Sequence, residues 1–393
     1  MKKELSSNYS PLYYLILVFM VIVSVETAGH LLFYIIKGYP RWDTETSLFA
    51  ERKLVFDVQE YSDPVEDGRV YVLKKDSAGS YGFSKFSPDG QNYIFTSIDC
   101  AIDTHGFVEG HNRYYSDKAN IVFIGDSVPF GWGTEGRISY PSQFSRLIEK
   151  AYPGEFGVMN AAVPGYHLFN AVERFRIEIA ERFPVSLVIV QTIEPLSIII
   201  NYGGKYKKEM CWGVPEKDSL AVNYGRIKRL QETGLYRFSV LYGVAVDSYK
   251  LYLRSAYTWK EKRVRQDVLA DEEAVRTITY EINSVLEELH ALLGEKGIPL
   301  VLLPPNIPDY LFSNSKNSEK VSVADFVAAI YENFAASNQD VYFLDVRELF
   351  KNQNRKPHEL FVDECCHLSE YGTALQAAWL FDGIQRLGLL SKN

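Results

Sequence analysis

The chain has 393 residues, a hydrophobic fraction of 47% and a formal net charge of -8 at pH 7. This length can bury a sizeable core, and the acidic balance argues against a nucleic-acid partner, because a phosphate backbone requires a positively charged surface. The sequence contains no zinc-ligand spacing, no Walker loop and no dinucleotide-binding glycine pattern, so we expect neither a metal site nor a cofactor.

The N-terminal region contains a long apolar segment. The run from Pro11 to Ile36 is interrupted mainly by Glu26, Thr27 and His30, and about 20 such residues cross a bilayer. A cleaved signal peptide is the alternative interpretation, but the surroundings of Glu26 make a poor small-x-small cleavage site. We therefore predict a membrane anchor over residues 1–38.

Two lysines precede the apolar segment, which favours a cytoplasmic N-terminus. The sequence then predicts a single-pass protein of the cytoplasmic membrane whose remaining chain lies outside it, in a periplasm or at a cell surface. Residues 39–119 show the period-two alternation of short strands, as in Arg69-Val70-Tyr71-Val72-Leu73. We interpret them as a β-rich lead-in rather than an independent domain.

A serine follows the first strongly apolar strand pattern after this lead-in. Ile121-Val122-Phe123-Ile124 leads directly into Gly125-Asp126-Ser127. A short apolar run is typical of a buried parallel strand, and the glycine allows the sharp turn that directs the next hydroxyl into the crevice above the sheet. Such a hydroxyl is a weak nucleophile unless a base takes its proton, so we expect a histidine and a carboxylate elsewhere in the chain.

Four further strand patterns alternate with amphipathic helical patterns. The predicted strands are 156–160, 187–190, 299–303 and 341–345, and the predicted helices are 140–152, 167–183, 272–296 and 323–336. Right-handed helical crossovers between parallel strands predict an α/β fold, a three-layer α/β/α sandwich of flavodoxin-like type with a five-stranded parallel sheet. We place it at residues 120–393, with a helical insertion at 201–266 that is rich in tyrosine and basic residues.

Three sequence blocks carry a family resemblance. The segment from Ile121 to Thr134, the turn around Pro164-Gly165-Tyr166 and the segment from Leu360 to Gly372 resemble the first, second and final blocks of the SGNH, or GDSL-like, hydrolase superfamily. The resemblance implies that Ser127 is the nucleophile and His367 the base. It also implies that the backbone N–H groups of Ser127 and Gly165 bind the oxyanion.

The acid of the final block has two candidates. The family usually has an aspartate three residues before the histidine; here Glu364 holds that place and Asp363 stands one residue earlier. Either carboxylate can reach the imidazole of His367 from a turn, and the residue type slightly favours Asp363.

The third block departs from the family pattern. Where the family has Gly-x-Asn-Asp after a strand, this chain has Gln191-Thr192-Ile193-Glu194. The side-chain amide that usually completes the oxyanion hole is therefore missing, unless Gln191 or the later Asn201 replaces it.

These features together predict serine-dependent hydrolysis of an acyl ester on an acylated, most plausibly acetylated, extracytoplasmic glycan. Two alternatives stay open: an O-acyltransferase acting on a surface polysaccharide, and a noncatalytic glycan-binding or assembly module. The expected partners are the acylated carbohydrate, the membrane through the N-terminal helix, and proteins of polysaccharide assembly.

Overall fold

The computed structural model describes residues 11–37, 62–192 (except 66, 70, 91–92 and 112), parts of 230–249, 272–306, 323–363 and 366–390. The chain divides into two compact units, one of residues 1–54 and 215–260 and the other of residues 55–214 and 261–393. The boundaries predicted at 38/39 and 119/120 stay predictions. Residues 55–119 share a compact unit with the sheet that follows them.

The larger unit is built around a parallel sheet. The described strands of the chain are β1 (Ser62–Pro64), β2 (Tyr71–Leu73), β3 (Ser77–Phe86), β4 (Tyr93–Ile102), β5 (Asn120–Gly125), β6 (Gly157–Asn160), β7 (Val185–Gln191), β8 (Leu300–Leu303) and β9 (Val341–Phe343). The last five form one sheet in the order β6-β5-β7-β8-β9, and every neighbouring pair is parallel. The predicted five-stranded parallel sheet is confirmed.

Helices cover both faces of this sheet. Besides helical residues within 230–249, the described α-helices are α1 (Pro11–Lys37), α2 (Ser127–Phe130), α3 (Tyr140–Ala151), α4 (Leu168–Arg174), α5 (Glu272–Gly294), α6 (Val323–Ser337), α7 (Val346–Lys351), α8 (Pro357–Leu360) and α9 (Glu370–Arg386). Successive side chains of a strand point to opposite faces. Accordingly, Val122 and Ile124 pack with α4, α5 and α6, whereas Ile121 and Phe123 pack with α3 and α9. The result is the predicted three-layer sandwich.

The helix predicted over 167–183 is interrupted. Regular α-helix ends at Arg174, and Phe175–Ile179 form a turn of π-helix. The buried Arg174 donates to Glu178 Oε2 at 3.2 Å and to the carbonyl oxygen of Gly106 at 2.6 Å. The pairing leaves Arg174 Nη1 without a hydrogen-bond partner among the described residues, and periodicity alone does not indicate these contacts.

The strand order places the serine at a ligand-binding edge. In this strand order β6 and β7 lie on opposite sides of β5, so the direction in which strands are added to the sheet reverses there. In sheets of this kind ligands bind beyond the carboxyl ends of the strands at that point. Ser127 follows β5 after one intervening residue. The backbone N–H of Asp126 donates to the carbonyl oxygen of Gln191 at 3.4 Å, which joins the ends of the two strands.

The smaller unit contains α1 and a helix at 240–246. Within α1, the segment Tyr13–Leu32 is long and apolar enough to cross a membrane, by length and composition. Most of the predicted insertion at 201–266 lies outside the described residues.

Candidate active site

Gly125 determines the path of the chain into the serine turn. Its φ of 154° is one that other residues rarely adopt, and a Cβ atom there would lie 1.9 Å from the carbonyl oxygen of Gln191. Only glycine fits this close approach of two strands. The next residue, Asp126, accepts a hydrogen bond from the N–H of Val128 at 2.9 Å and so caps α2. Ser127 is thereby held as the first residue of that helix.

The loop before α9 presents His367. Phe361 and Leu368 form an antiparallel bridge, and the N–H of Val362 donates to the carbonyl oxygen of His367 at 2.8 Å. This narrow loop fixes the backbone on both sides of the imidazole. Inside it, Asp363 Oδ1 accepts hydrogen bonds from the N–H of Cys366 at 3.1 Å and of His367 at 3.2 Å.

Three side chains meet in a continuous hydrogen-bonded chain. His367 Nδ1 lies 2.6 Å from Asp363 Oδ2, and His367 Nε2 lies 2.9 Å from Ser127 Oγ. Ser127 and His367 are only 7% and 9% exposed, so these bonds are largely shielded from water. With Nδ1 protonated and bonded to the carboxylate, Nε2 is free of a proton and able to accept the one on the serine.

The acid beside His367 in this structure is Asp363, which lies four residues before it in the sequence. Glu364, the other predicted candidate, lies outside the described residues.

The electrostatics of Asp363 favour its ionised form. Burial by itself raises the pKa of this carboxyl group, but the adjacent His367 and the hydrogen bonds from the N–H groups of Cys366 and His367 outweigh burial, so the pKa lies below its ordinary value. A charged carboxylate is the form that holds the imidazole in the required tautomer and stabilises the imidazolium that forms during catalysis.

This lowered pKa predicts a pH-dependent stability. The folded-state pKa is below the unfolded value of about 3.9, so Asp363 stabilises the fold above that pH, and the contribution is lost as pH falls through the folded value. The difference in unfolding free energy between wild type and Asp363→Asn should therefore shrink as pH falls from about 4 through the folded-state pKa. Denaturation of the protein in detergent micelles measures this difference in unfolding free energy. The same difference for the exposed Asp117→Asn should stay near zero, and a constant difference for Asp363→Asn would contradict the assignment.

A second turn lies beside the serine strand. Gly165 has φ 80°, in the left-handed region that favours glycine, and it follows β6, the neighbour of β5. The N–H of Val163 donates to the carbonyl oxygen of Gly125 at 3.1 Å, which ties this turn to the serine turn. Tyr71 reinforces it, because its hydroxyl donates to the carbonyl oxygen of Pro164. The predicted oxyanion donors, the N–H groups of Ser127 and Gly165, thus belong to two loops joined by a backbone hydrogen bond.

Gln191 has a different place from the one predicted. Its Nε2 donates to the carbonyl oxygen of Pro304 at 3.2 Å and to Asn306 Oδ1 at 3.1 Å, so both amide hydrogens are engaged. Asn306 Nδ2 donates to Gln376 Oε1 at 2.5 Å, and Gln376 Nε2 donates to Gln191 Oε1 at 3.0 Å. The three amides form a closed, fully buried ring that links β7, the end of β8 and α9. The prediction of Gln191 as an oxyanion donor is therefore not supported; Asn201 lies outside the described residues.

The amide ring predicts a structural role for Gln191. In Gln191→Leu, buried polar groups of Asn306 and Gln376 lose their partners, at about 1–3 kcal/mol each. Denaturation in detergent micelles should show this loss, whereas the exposed Gln385→Leu should change stability by less than about 0.5 kcal/mol. If Gln191 were instead an oxyanion donor, kcat would fall about 100-fold or more with little change in stability.

Three aromatic side chains, those of Phe83, Tyr81 and Trp132, lie beside the triad and form what we call the aromatic wall. The sequence did not predict this contact. Phe83, on β3, contacts the ring of His367 edge-on, with centroids 5.9 Å apart. Tyr81, two residues earlier, stacks on Trp132 of the serine loop at 4.0 Å. The Tyr81 hydroxyl accepts a hydrogen bond from the N–H of Gly133 at 3.0 Å. The period-two pattern of β3 placed Tyr81 and Phe83 on one face, but nothing in the sequence indicated what that face contacts.

The chain was compared with known proteins. No family model matches it, and no curated protein sequence matches it significantly. Solved structures do match. A lipase/acylhydrolase from Enterococcus faecalis is 12% identical, covering 68% of this chain and 96% of its own, with a TM-score of 0.40. A putative lipolytic protein of the G-D-S-L family from Desulfitobacterium hafniense is 13% identical, covering 67% of this chain and 99% of its own, with a TM-score of 0.36.

Two other matching structures are named as an esterase and a hydrolase. An acetylxylan esterase from Geobacillus stearothermophilus is 13% identical, covering 71% of this chain and 100% of its own, with a TM-score of 0.37. An alpha/beta hydrolase from the Lake Arreo metagenome is 14% identical, with coverages of 71% and 100% and a TM-score of 0.40. At these values the similarity concerns the fold alone, and residue roles depend on the geometry of this chain.

Proposed function

We propose that the protein is a serine esterase that removes acyl groups, with Ser127 as nucleophile, His367 as base and Asp363 as the orienting acid. The observation that carries this proposal is the hydrogen-bonded chain from Ser127 Oγ through the imidazole to the carboxylate, at 2.9 and 2.6 Å. This arrangement suits the activation of a hydroxyl for attack on an ester carbonyl.

The reaction proceeds in two halves. His367 Nε2 takes the proton of Ser127 as Oγ attacks the ester carbonyl carbon, and the carbonyl oxygen gains the negative charge. The imidazolium then gives its proton to the leaving alkoxide, and an acyl-serine remains. Water, deprotonated by the same imidazole, attacks the acyl-serine, releases the carboxylic acid and restores the serine.

The oxyanion is stabilised by backbone donors in this proposal. Ser127 is the first residue of a helix, where its N–H has no acceptor within the helix, and Gly165 presents a backbone without a side chain. Removing one donor from such a hole typically costs about 3 kcal/mol of transition-state stabilisation.

We propose an acetylated glycan outside the cytoplasmic membrane as the substrate. Within the aromatic wall, Phe83 and Tyr81 are buried and Trp132 is partly exposed. These rings make the surroundings of the triad apolar, which suits a small acyl group, and the exposed part of Trp132 suits the apolar face of a sugar ring. The apolar helix α1 supports a membrane anchor, and Lys2 and Lys3 before it favour an extracytoplasmic location for the chain that follows. Proteins of polysaccharide assembly are the partners this location favours.

Covalent labelling tests the activated serine directly. A fluorophosphonate should modify wild-type protein at the peptide containing Ser127, and Ser127→Ala should remain unlabelled while Ser337→Ala, altered on the outer face of α6, labels like wild type. Wild-type protein that stays folded but unlabelled would exclude the esterase proposal and favour a noncatalytic glycan-binding module.

Substrate identity requires a separate assay. With 4-nitrophenyl esters of increasing chain length, kcat/KM should be highest for acetate and fall by about tenfold or more for octanoate. Acetylated xylo-oligosaccharide should release acetate. If acetate instead appears on an added unacetylated oligosaccharide, the protein is an acyltransferase that uses the same serine; no turnover of any acetyl ester would refute both.

A further inference from the structure

Glu26 is an unexpected residue for the apolar helix α1. Among the α1 residues whose side chains the structure describes, only Glu26, Gly29 and His30 are partly buried, and all others are exposed. Positions three and four residues apart share one face of a helix. The face of α1 that carries Glu26, Gly29 and His30 is therefore partly covered by another segment of the smaller unit.

The contacting segment is the helix at 240–246. Glu26 Oε1 accepts hydrogen bonds from Ser239 Oγ at 2.5 Å and from the N–H of Leu241 at 3.3 Å, and Glu26 Oε2 accepts one from the N–H of Val240 at 2.5 Å. The first N–H groups of a helix have no acceptors within it, and a carboxylate complements the positive end of the helix dipole. Glu26 thus caps this helix from another part of the chain.

Close packing accompanies the cap. A Cβ atom on Gly29 would lie 2.7 Å from Val240 Cγ1, so glycine is what allows the two helices to approach. Small residues serve this purpose where helices pack in membranes. Ser239 adds a local cap, because its Oγ accepts from the N–H of Tyr242 at 3.0 Å.

The outer surface of the second helix is apolar. Residues 239–246 (Ser-Val-Leu-Tyr-Gly-Val-Ala-Val) contain no charged side chain. Leu241 and Val244 are 46% and 54% exposed, and the described large apolar side chains of α1 are exposed as well. A helix that is apolar on every side belongs in a core or in lipid. About 20 apolar residues cross a bilayer, and the described apolar residues 239–246 do not reach that length.

We infer that residues 239–246 are a membrane-embedded element of the mature protein, docked on the transmembrane helix α1 through Glu26 and Gly29 and covered by lipid. Glu26 lies in the C-terminal half of the Tyr13–Leu32 span. In hydrocarbon, unpaired backbone N–H groups and an unpaired carboxylate are both costly, and this contact satisfies each with the other. Helix α1 is then retained in the mature protein and is not cleaved off as a signal peptide. The inference does not depend on the catalytic chemistry.

Disulfide trapping tests the docking. In Gly29→Cys/Val240→Cys, two small side chains replace the glycine–valine contact. A protease site inserted between residues 40 and 55 then reports the cross-link, because the released N-terminal fragment contains no native cysteine. Oxidation in native membranes should keep this fragment attached to the body on non-reducing gels. Leu31→Cys/Val240→Cys, with the first cysteine on another face of α1, and Gly29→Cys alone should leave it free.

The role of Glu26 has its own variants in the cross-linking background. Glu26→Gln keeps an acceptor oxygen and should keep most of the cross-link, whereas Glu26→Leu removes every acceptor and should reduce it about tenfold. Absence of the cross-link with intact Glu26, equal cross-linking of the Leu31 control, or loss of residues 1–30 from the mature chain would each overturn the inference.

Labelling identifies what covers the outer face. In open membrane fragments, Val244→Cys should resist a membrane-impermeant maleimide until the protein is denatured. Lys150→Cys, exposed on α3, should label at once, with wild-type labelling subtracted from both. Rapid labelling of Val244→Cys would place this face in water, and a disulfide between two copies through this position would identify a second chain instead of lipid. Either result would overturn the lipid assignment.

Discussion

Ser127→Ala should abolish esterase activity, with kcat falling about 10⁴- to 10⁶-fold. The variant removes the attacking oxygen, and no other described hydroxyl is hydrogen-bonded to His367 Nε2. The measurement is kcat and KM with 4-nitrophenyl acetate, alongside circular dichroism to show that the fold persists. Folding should be retained because Ser127 Oγ contacts only the imidazole among the described partners.

The matched control is Ser337→Ala. That hydroxyl bonds to a carbonyl within its own helix, at Asn333, and lies on the exposed side of α6. Its kcat should stay within about twofold of wild type. Ser127→Ala with wild-type kcat would refute the nucleophile assignment and, with it, the proposed function.

Asp363→Asn should reduce kcat by about 10⁴-fold while KM changes little. An asparagine amide can donate to Nδ1, which favours the tautomer with its proton on Nε2, and that nitrogen can no longer accept the proton of Ser127. The 2.6 Å contact between Asp363 Oδ2 and His367 Nδ1 makes Asp363 the residue on which this tautomer depends. Steady-state kinetics with an activated acetyl ester measure the effect.

Glu364→Gln is the decisive comparison, because Glu364 occupies the position at which the family usually has its acid. We expect its kcat to stay within about threefold of wild type. If Glu364→Gln is the more damaging change, the acid assignment moves to that residue and the Asp363 contact seen in this structure is not the catalytic one.

The larger unit illustrates how much local pattern can establish. The strands β5, β7 and β8 each contain a continuous apolar run, at 121–124, 187–190 and 300–303, and such runs are typical of buried parallel strands. Gly125 is the last residue of β5 and Ser127 comes two residues later, so the serine turn was predictable from neighbouring residues alone. The order of the candidate catalytic residues along the chain, with the serine first, then the acid and then the histidine, was equally predictable from the sequence.

The amide ring illustrates what local pattern misses. Gln191 was a reasonable substitute for the missing third-block asparagine because it ends the correct strand. Its orientation depends on Asn306 and Gln376, which lie 115 and 185 residues away in the sequence. A buried amide takes the direction in which its donors and acceptors are satisfied, and no pattern within one segment specifies those partners.

The interrupted helix after Leu168 and the role of Glu26 follow the same rule. Helical periodicity predicted a helix over 167–183, but regular α-helix ends at Arg174, where the π-turn begins and Arg174 pairs with Glu178 and with the carbonyl oxygen of Gly106. Likewise, Glu26 interrupts the apolar segment in the sequence, and its carboxylate accepts hydrogen bonds from donors more than 200 residues away.

The sequence by itself determined the alternation of strands and helices, the serine turn, the C-terminal histidine block and the apolar N-terminal helix, because each depends on neighbouring residues and on helix or strand periodicity. The tertiary structure alone decided that Asp363 faces His367, that Gln191 turns into an amide ring, and that Phe83 borders the imidazole. Ser127 and His367 lie 240 residues apart in the sequence, and yet Ser127 Oγ lies 2.9 Å from His367 Nε2. Contacts of that kind depend on how whole layers pack, which short-range patterns do not encode.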